Sequence, residues 1–214
     1  MKNKTKRIVD VLMVIAILFL MTYQVTGEVA HEYIGILMVA FVIVHQILNR
    51  RWYGAILRGR YNLYRFFNTI INIMLLVAFI LTALSGMAMS NYAVPFLYSI
   101  INVSDARVMH LAFSHWAFIL MGIHLGFHIN VMTYTISKKI KIVLYVITVL
   151  FAMYGLYVFI KSGIINYITF KSQFAYFNYD ESIILIFLEN FSLLSLFVFM
   201  GYHFCRVVVF KDGK

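Results

Sequence analysis

Four of the seven histidines fall into two pairs with the same spacing, and both pairs lie in apolar stretches. His31 and His45 are fourteen residues apart, and so are His110 and His124. On an α-helix this step rises about 21 Å and returns to within about 40° of the same face. Neutral imidazole is a good axial ligand for haem iron. Two such helices side by side would offer two facing histidine pairs, one for each of two b-type haems.

The composition is that of an integral membrane protein. The 214 residues are 63% hydrophobic and 12% charged, with one proline, and the mean hydropathy is +0.89. Such a chain lacks the polar coat of a water-soluble globule. The single cysteine, Cys205, excludes an intramolecular disulfide and covalent attachment of haem through a C-x-x-C-H motif. Any haem would be held non-covalently.

Hydropathy predicts an all-α membrane protein with six transmembrane helices. Each apolar segment is long enough to cross a hydrocarbon core of about 30 Å, which takes roughly 20 helical residues. The predicted spans cover residues 8–26, 28–48, 66–90, 106–132, 140–160 and 182–209. They consume nearly the whole chain, so a single bundle is the simplest architecture.

Basic residues alternate between the two sides of these predicted spans. The N-terminus, the connections after the second and fourth spans, and the C-terminus hold all Lys and Arg residues except Arg107, Lys161 and Lys171. The positive-inside rule therefore predicts a multi-pass protein of the cell membrane with both termini in the cytoplasm. Because this topology explains the net charge of +10, nucleic acid is not expected as a partner.

With that topology the second and fourth spans run in the same direction, from outside to inside. His31 is then predicted to pair with His110 near the outer face, and His45 with His124 near the inner face. His128 lies eighteen residues past His110, about five turns along the same face. Measured back from the cytoplasmic charges, its depth matches that of His45 better than the depth of His124 does. His128 is therefore an alternative to His124 as the inner ligand, or a contact for a propionate or a quinone. His115 points about 140° from His110 and is expected to be structural.

Other residues near the histidines suit a flat macrocycle, although each has an ordinary explanation. Small residues close to them would make room for haem, or would simply allow close helix packing; they are Gly35, Ser85, Gly86, Gly122 and Gly126. Arginines near the surfaces are candidate partners for propionates, or ordinary topological charges; they are Arg50, Arg51 and Arg107. Glu32 and Glu189 are candidates for quinone or proton sites, or hydrogen-bonded carboxylates. His203 is expected to be interfacial.

The order of these motifs resembles the flavinylation-associated cytochrome family. The likeness is carried by His31-Glu32-Tyr33-Ile34-Gly35, by His45 with Asn49 and Trp52, by Ser85-Gly86 with Ser90, and by His110 with His124-Leu125-Gly126-Phe127-His128. An aromatic residue is expected after His128, where this chain has Ile129. The resemblance implies a four-helix, diheme cytochrome b-like domain over residues 1–135, and two further helices of the same bundle over residues 136–214.

The resemblance also implies a function and partners. Electrons would pass from a quinol or a cytoplasmic donor, through two haems b, to an extracytoplasmic flavoprotein that carries covalent FMN. The family's histidines correspond to His31, His45, His110, His124 and His128, while His115 has no counterpart. No flavin-attachment sequence is evident in this chain, so FMN is expected only on the partner.

Two alternatives belong to other functional classes. A metal transporter could use His124 and His128, because residues at i and i+4 share a helix face that can bind Zn²⁺ or Cu²⁺. The acidic residues, however, lie mostly at the outer ends of the predicted spans. A non-catalytic anchor for another subunit is the second alternative, but it does not require matched histidines.

Overall fold

The regular elements of the protein are helical throughout the part of the chain that is described. The computed structural model describes residues 2–98, 102–133 and 136–212. Its α-helices are α1 (Lys2–Met21), α2 (Tyr23–Leu48), α3 (Arg51–Ile56), α4 (Leu63–Ala88), α5 (Val103–Met132), α6 (Lys138–Lys161), α7 (Ile164–Ile168) and α8 (Ile183–Asp212). One 3₁₀ turn, Pro95–Leu97, lies between α4 and α5.

Five of these helices, namely α2, α4, α5, α6 and α8, are long and apolar enough to cross a membrane. This confirms the predicted all-α membrane class and a multi-pass arrangement. The helix α1 has 20 residues but is not among the five in the described chain. Its first half carries several charges, at Lys2, Lys4, Lys6, Arg7 and Asp10. The predicted count of six spans is therefore not confirmed.

The chain reverses direction between α1 and α2 at two breaks that the sequence encodes. Thr22 is fully buried, and its hydroxyl donates to the carbonyl oxygens of Leu18 and Phe19 at 3.1 and 2.9 Å. Gly27 then adopts φ 71° and ψ 171° inside the first turns of α2. A side chain is strained in this conformation, whereas glycine adopts it readily. The break at Gly27 coincides with the boundary predicted between the first two spans.

The centre of the bundle is α5, which packs between α4 and α8, while α6 covers the other side of α8. Glycines allow the backbones to approach closely. A Cβ atom on Gly155 of α6 would overlap the carbonyl of Ser192 in α8, and one on Gly201 of α8 would overlap the backbone of Ile123 in α5. Around these contacts lies the main core, which includes Phe118 and Phe197.

The helices α1 and α2 form an antiparallel pair at the edge of the bundle. Lys6 Nζ donates to Asn49 Oδ1 at 2.8 Å, and His45 Nδ1 lies 2.8 Å from Asp10 Oδ1. Because each pair of residues is spaced i, i+4 on its own helix, the two bridges lie one turn apart. By contrast, α2 packs only loosely against α4. An apolar groove of about 360 Å³ separates these two helices.

Candidate functional site

The histidines of α2 and α5 meet across the bundle at one of its two ends. We call this the His31 end and the opposite one the His45 end. The rings of His31 and His110 have centroids 6.0 Å apart and planes inclined at 74°. An imidazole nitrogen binds a metal ion at about 2 Å, so two rings that bind one ion from opposite sides have centroids about 6 Å apart. The structure thus brings together the pair predicted from spacing, at a separation that suits a shared ion.

The ring of His110 is held with one nitrogen engaged. Its Nδ1 donates to the carbonyl oxygen of Thr82 at 3.0 Å. Because a carbonyl only accepts hydrogen bonds, this contact places the proton on Nδ1 and leaves the lone pair on Nε2. Gly86 makes room for the ring, since a Cβ there would lie 3.0 Å from His110 Cε1. Both features suit an imidazole whose Nε2 is a ligand.

The ring of His31 lies beside Tyr23, with ring centroids 5.0 Å apart in an edge-on arrangement. Its Nδ1 is buried and makes no hydrogen bond of normal geometry within the described residues. One turn further along α2, a Cβ on Gly35 would have no atom within 4 Å. The face of α2 that carries His31 therefore has an unpartnered polar atom, and open space lies next to Gly35.

At the His45 end, two histidines have Nδ1 bound to side-chain oxygens. His45 Nδ1 donates to Asp10 Oδ1 at 2.8 Å, and His124 Nδ1 donates to Asn72 Oδ1 at 2.7 Å. The tautomer follows from the acceptor, as for His110, so Nε2 of each ring keeps its lone pair. Carboxylate and carbonyl partners on the second nitrogen are typical of histidines that bind metals.

His124 and His128 lie side by side on α5, with ring centroids 4.7 Å apart. His45 is within electrostatic range of both rings, and Asp10 is within electrostatic range of His128. No ring contact joins His45 to either one in the described chain. The two differ in how they are held. His124 is bound to Asn72, whereas we find no hydrogen bond of the His128 ring among the described residues. At this end the structure therefore brings the three histidines near one another, but no ring of α2 contacts a ring of α5 there in the described chain, unlike His31 and His110.

The remaining histidines have other partners. His115 Nδ1 donates to the carbonyl of Leu111 at 2.7 Å, and its ring stacks on Tyr167 with centroids 4.6 Å apart. This agrees with the structural role expected for it. His203 Nε2 lies 3.2 Å from the hydroxyl of Tyr145. Neither ring contacts the four histidines of the two pairs.

The four glycines near the histidines separate into two groups, while Ser85 is buried and its hydroxyl donates to the carbonyl of Leu81 at 2.6 Å. A Cβ on Gly122 would collide with Phe197, and one on Gly126 with Val198 and Tyr202, all of α8. These two glycines therefore allow α5 to pack on α8, which was the ordinary explanation for them. Only Gly86, against the ring of His110, and Gly35, beside open space, lie where a macrocycle would need room.

Both candidate carboxylates accept hydrogen bonds, as the simpler interpretation predicted. Glu32 accepts hydrogen bonds from the hydroxyl of Ser90 at 2.7 Å and from three backbone N–H groups, those of Asn91, Tyr92 and Ala93 at 2.9, 2.8 and 2.8 Å. Glu189 accepts from Lys161 Nζ at 3.0 Å. Glu32 thus fixes the segment that follows α4, next to the His31 end.

Replacing Glu32 with alanine should destabilise the fold, because four hydrogen bonds to one carboxylate would be lost. We expect a loss on the order of 2 kcal/mol, since hydrogen bonds to charged groups contribute about 1.5–3 kcal/mol each and partial exposure reduces this. Thermal unfolding in detergent, followed by circular dichroism, measures the change. Glu28→Ala is the matched control, because within the described residues the hydrogen bond that Glu28 accepts comes from the Asn91 side chain. Equal effects of the two substitutions would refute this role of Glu32.

Three partners of the histidines were not predicted from the sequence. Asp10 is an ionisable residue in an apolar run, and such residues are functional candidates by default. Asn72 interrupts an apolar helix one turn after Asn68, so both side chains could have been recognised. Thr82 accepts through its backbone carbonyl. Every residue type has this group, so the sequence could not indicate it.

Comparisons with known proteins assign no function to these histidines. Neither the protein-family models, nor the curated proteins, nor the solved structures give a match to this chain. Among the described residues, no three His, Cys, Asp or Glu side chains are arranged to hold a metal ion. A haem iron bound by two histidines requires no such group, because the macrocycle supplies the other ligands.

Proposed function

We propose that this protein carries electrons across a membrane on two b-type haems. Each haem would be bound by one histidine from α2 and one from α5: His31 with His110 at one end, and His45 with His124 at the other. Bound in this way, haem supplies a one-electron carrier. Two histidine ligands leave the iron no open position, which suits electron transfer rather than oxygen chemistry.

The separation of His31 and His110 is the observation that carries this proposal. Two half-buried imidazoles from different helices have ring centroids 6.0 Å apart, with their planes inclined at 74°. The Nδ1 atom of His110 is engaged by the Thr82 carbonyl, which leaves Nε2 for a ligand. The clearance at Gly86 and the Nδ1 of His31, which makes no hydrogen bond of normal geometry within the described chain, both support the proposal that the two rings share a ligand.

The proposed direction and partners come from charge distribution and family resemblance. In this arrangement α1 is a sixth span, both termini are cytoplasmic, and the His45 end lies on the cytoplasmic side. Electrons enter there from a quinol or a cytoplasmic donor. They leave at the His31 end to an extracytoplasmic redox protein that carries FMN, as the resemblance to the flavinylation-associated cytochromes implies.

The experiment that tests this function counts haems. We expect purified full-length protein, produced with sufficient haem, to contain two b haems per chain in a pyridine haemochrome assay. The same count is expected for His115→Ala, because His115 bonds Leu111 and stacks on Tyr167. Protein without a reducible haem band would refute the proposal. Saturable zinc or copper uptake by haem-free protein, lost in the double variant His124→Ala, His128→Ala, would favour the transporter instead.

A further inference from the structure

We infer that Asp10 is a positioning residue that lowers the redox potential at the His45 end below that at the His31 end. This inference rests on the proposed function. It goes further by assigning a role to α1, a helix that contributes no histidine, and by giving the electron path a preferred direction.

The contact between Asp10 and His45 is direct and partly shielded from solvent. His45 Nδ1 and Asp10 Oδ1 are 2.8 Å apart, and the side chains are 23% and 31% exposed, respectively. A hydrogen bond to a carboxylate is stronger than one to a neutral acceptor, and partial burial limits its screening. Since a carboxylate only accepts, it holds the proton on Nδ1 and directs Nε2 away from α1.

The position of Asp10 is fixed by a second bridge between the same helices. Lys6 Nζ donates to Asn49 Oδ1 at 2.8 Å, one turn from Asp10 on α1. Asn49 Nδ2 in turn donates to the backbone carbonyl of His45 at 2.9 Å. Lys6, one turn from Asp10 on α1, is thus engaged by Asn49, while Arg7, three residues from Asp10, is exposed. The register of α1 on α2 keeps the carboxylate at the histidine.

The four paired histidines differ in the group that holds Nδ1. His110 is bound to a backbone carbonyl and His124 to a side-chain amide, both neutral acceptors. His31 makes no hydrogen bond of normal geometry through Nδ1 within the described chain. Only His45 has a carboxylate partner among these four. In α1, α2, α4 and α5, the helices that carry the four histidines and their partners, Asp10 is the acidic residue toward the His45 end, while Glu28, Glu32 and Asp105 lie toward the His31 end.

This difference has a predictable effect on redox potential. A carboxylate that accepts from Nδ1–H makes the imidazole a more basic ligand. A more basic, partly anionic ligand stabilises Fe(III) relative to Fe(II), so the potential falls. Transfer of one electron from the His45 end to the His31 end is then downhill. In this step one iron is oxidised from Fe(II) to Fe(III), the other is reduced from Fe(III) to Fe(II), and no proton is needed.

The test is a potentiometric titration of full-length protein in detergent, followed by haem absorbance. In Asp10→Asn, which keeps the size and an acceptor oxygen but removes the charge, we expect the lower potential to rise. A tenfold change in the ratio of reduced to oxidised haem corresponds to about 59 mV for one electron. We expect a change of about this size, because loss of a partner that orients a metal ligand typically changes metal affinity or activity by about 10–100-fold. The higher potential should not move.

Lys4→Gln is the matched control, since it removes one charge from an exposed position of the same helix without breaking either of the two bridges to α2. We expect it to change the ratio less than twofold. If Asp10→Asn does not fold, the single-haem variants His31→Ala and His45→Ala still decide the question. The haem retained by His31→Ala should have the lower potential.

The possible failures are distinguishable. Two bound haems with unchanged potentials in Asp10→Asn would overturn the role of Asp10 and leave the proposed function standing. The role of Asp10 is also overturned if Lys4→Gln shifts the potential as far as Asp10→Asn does, or if the single-haem variants show the reverse order. A wild-type protein without haem would overturn the proposed function and, with it, this inference.

Discussion

Alanine at His31 and alanine at His110 should each remove one of the two haems, and both should remove the same one. The two ring centroids are 6.0 Å apart, so in the proposed arrangement each ring would supply one of the two protein ligands of a single iron. A haem with one remaining histidine loses half of its protein ligation and is expected to dissociate during purification. The haemochrome count should fall from two to one haem per chain in each variant.

The double variant makes this prediction specific to a shared ion. Residues that act as a unit give strongly non-additive effects. His31→Ala combined with His110→Ala should therefore still hold one haem, equal to either single variant. Loss of both haems from the double variant would contradict the pairing, and so would two haems in either single variant. His115→Ala, on the same helix as His110, controls for any general effect of losing an imidazole from α5.

The pairing of His31 with His110 was predictable because it depends on two regular features of the chain. Helical periodicity fixes which residues share a face, and the alternation of basic segments fixes the relative direction of the spans. Together these bring two distant residues to the same depth without any knowledge of packing. The positions of the five long apolar helices follow equally well, since they depend on hydropathy alone.

The partners of the histidines were not predictable to the same degree, because they depend on the register between helices. Asp10 contacts His45 because the chain reverses between α1 and α2 at Thr22 and Gly27. The Lys6–Asn49 and Asp10–His45 contacts then hold the two helices in register. Asn72 meets His124 through the packing of α4 on α5. A polar residue in an apolar run indicates that its side chain has a polar partner, but the sequence does not indicate which residue that partner is.

The glycines of α5 show that packing between helices also overrides a role that the sequence favours. Gly122 and Gly126 lie next to His124 in the sequence, which favoured a role near a cofactor. In the fold they face α8, where a Cβ on Gly126 would lie 2.6 Å from the backbone nitrogen of Tyr202. Residues adjacent in a helical sequence point about 100° apart per step, so adjacency to a histidine says little about a shared surface.

Substitution of His124 should remove the haem at the His45 end, whereas substitution of His128 should leave it bound. The physical reason is the hydrogen bond of 2.7 Å between His124 Nδ1 and Asn72 Oδ1. It fixes the tautomer and the orientation of the ring, as second-shell partners of metal-binding histidines do. His128 lies beside it without such a bond in the described chain. We expect one haem per chain in His124→Ala and two in His128→Ala.

Asn72→Ala tests the same assignment without removing a ligand. It leaves both histidines in place but frees Nδ1 of His124, so affinity for the haem at the His45 end should fall by about 10–100-fold. Haem titration into the apoprotein measures this, and the haem at the His31 end provides the internal reference. If His128→Ala loses a haem while His124→Ala and Asn72→Ala keep both, the ligand is His128, as its depth in the membrane alone would suggest. In that case, depth rather than orientation by Asn72 selects between two adjacent imidazoles.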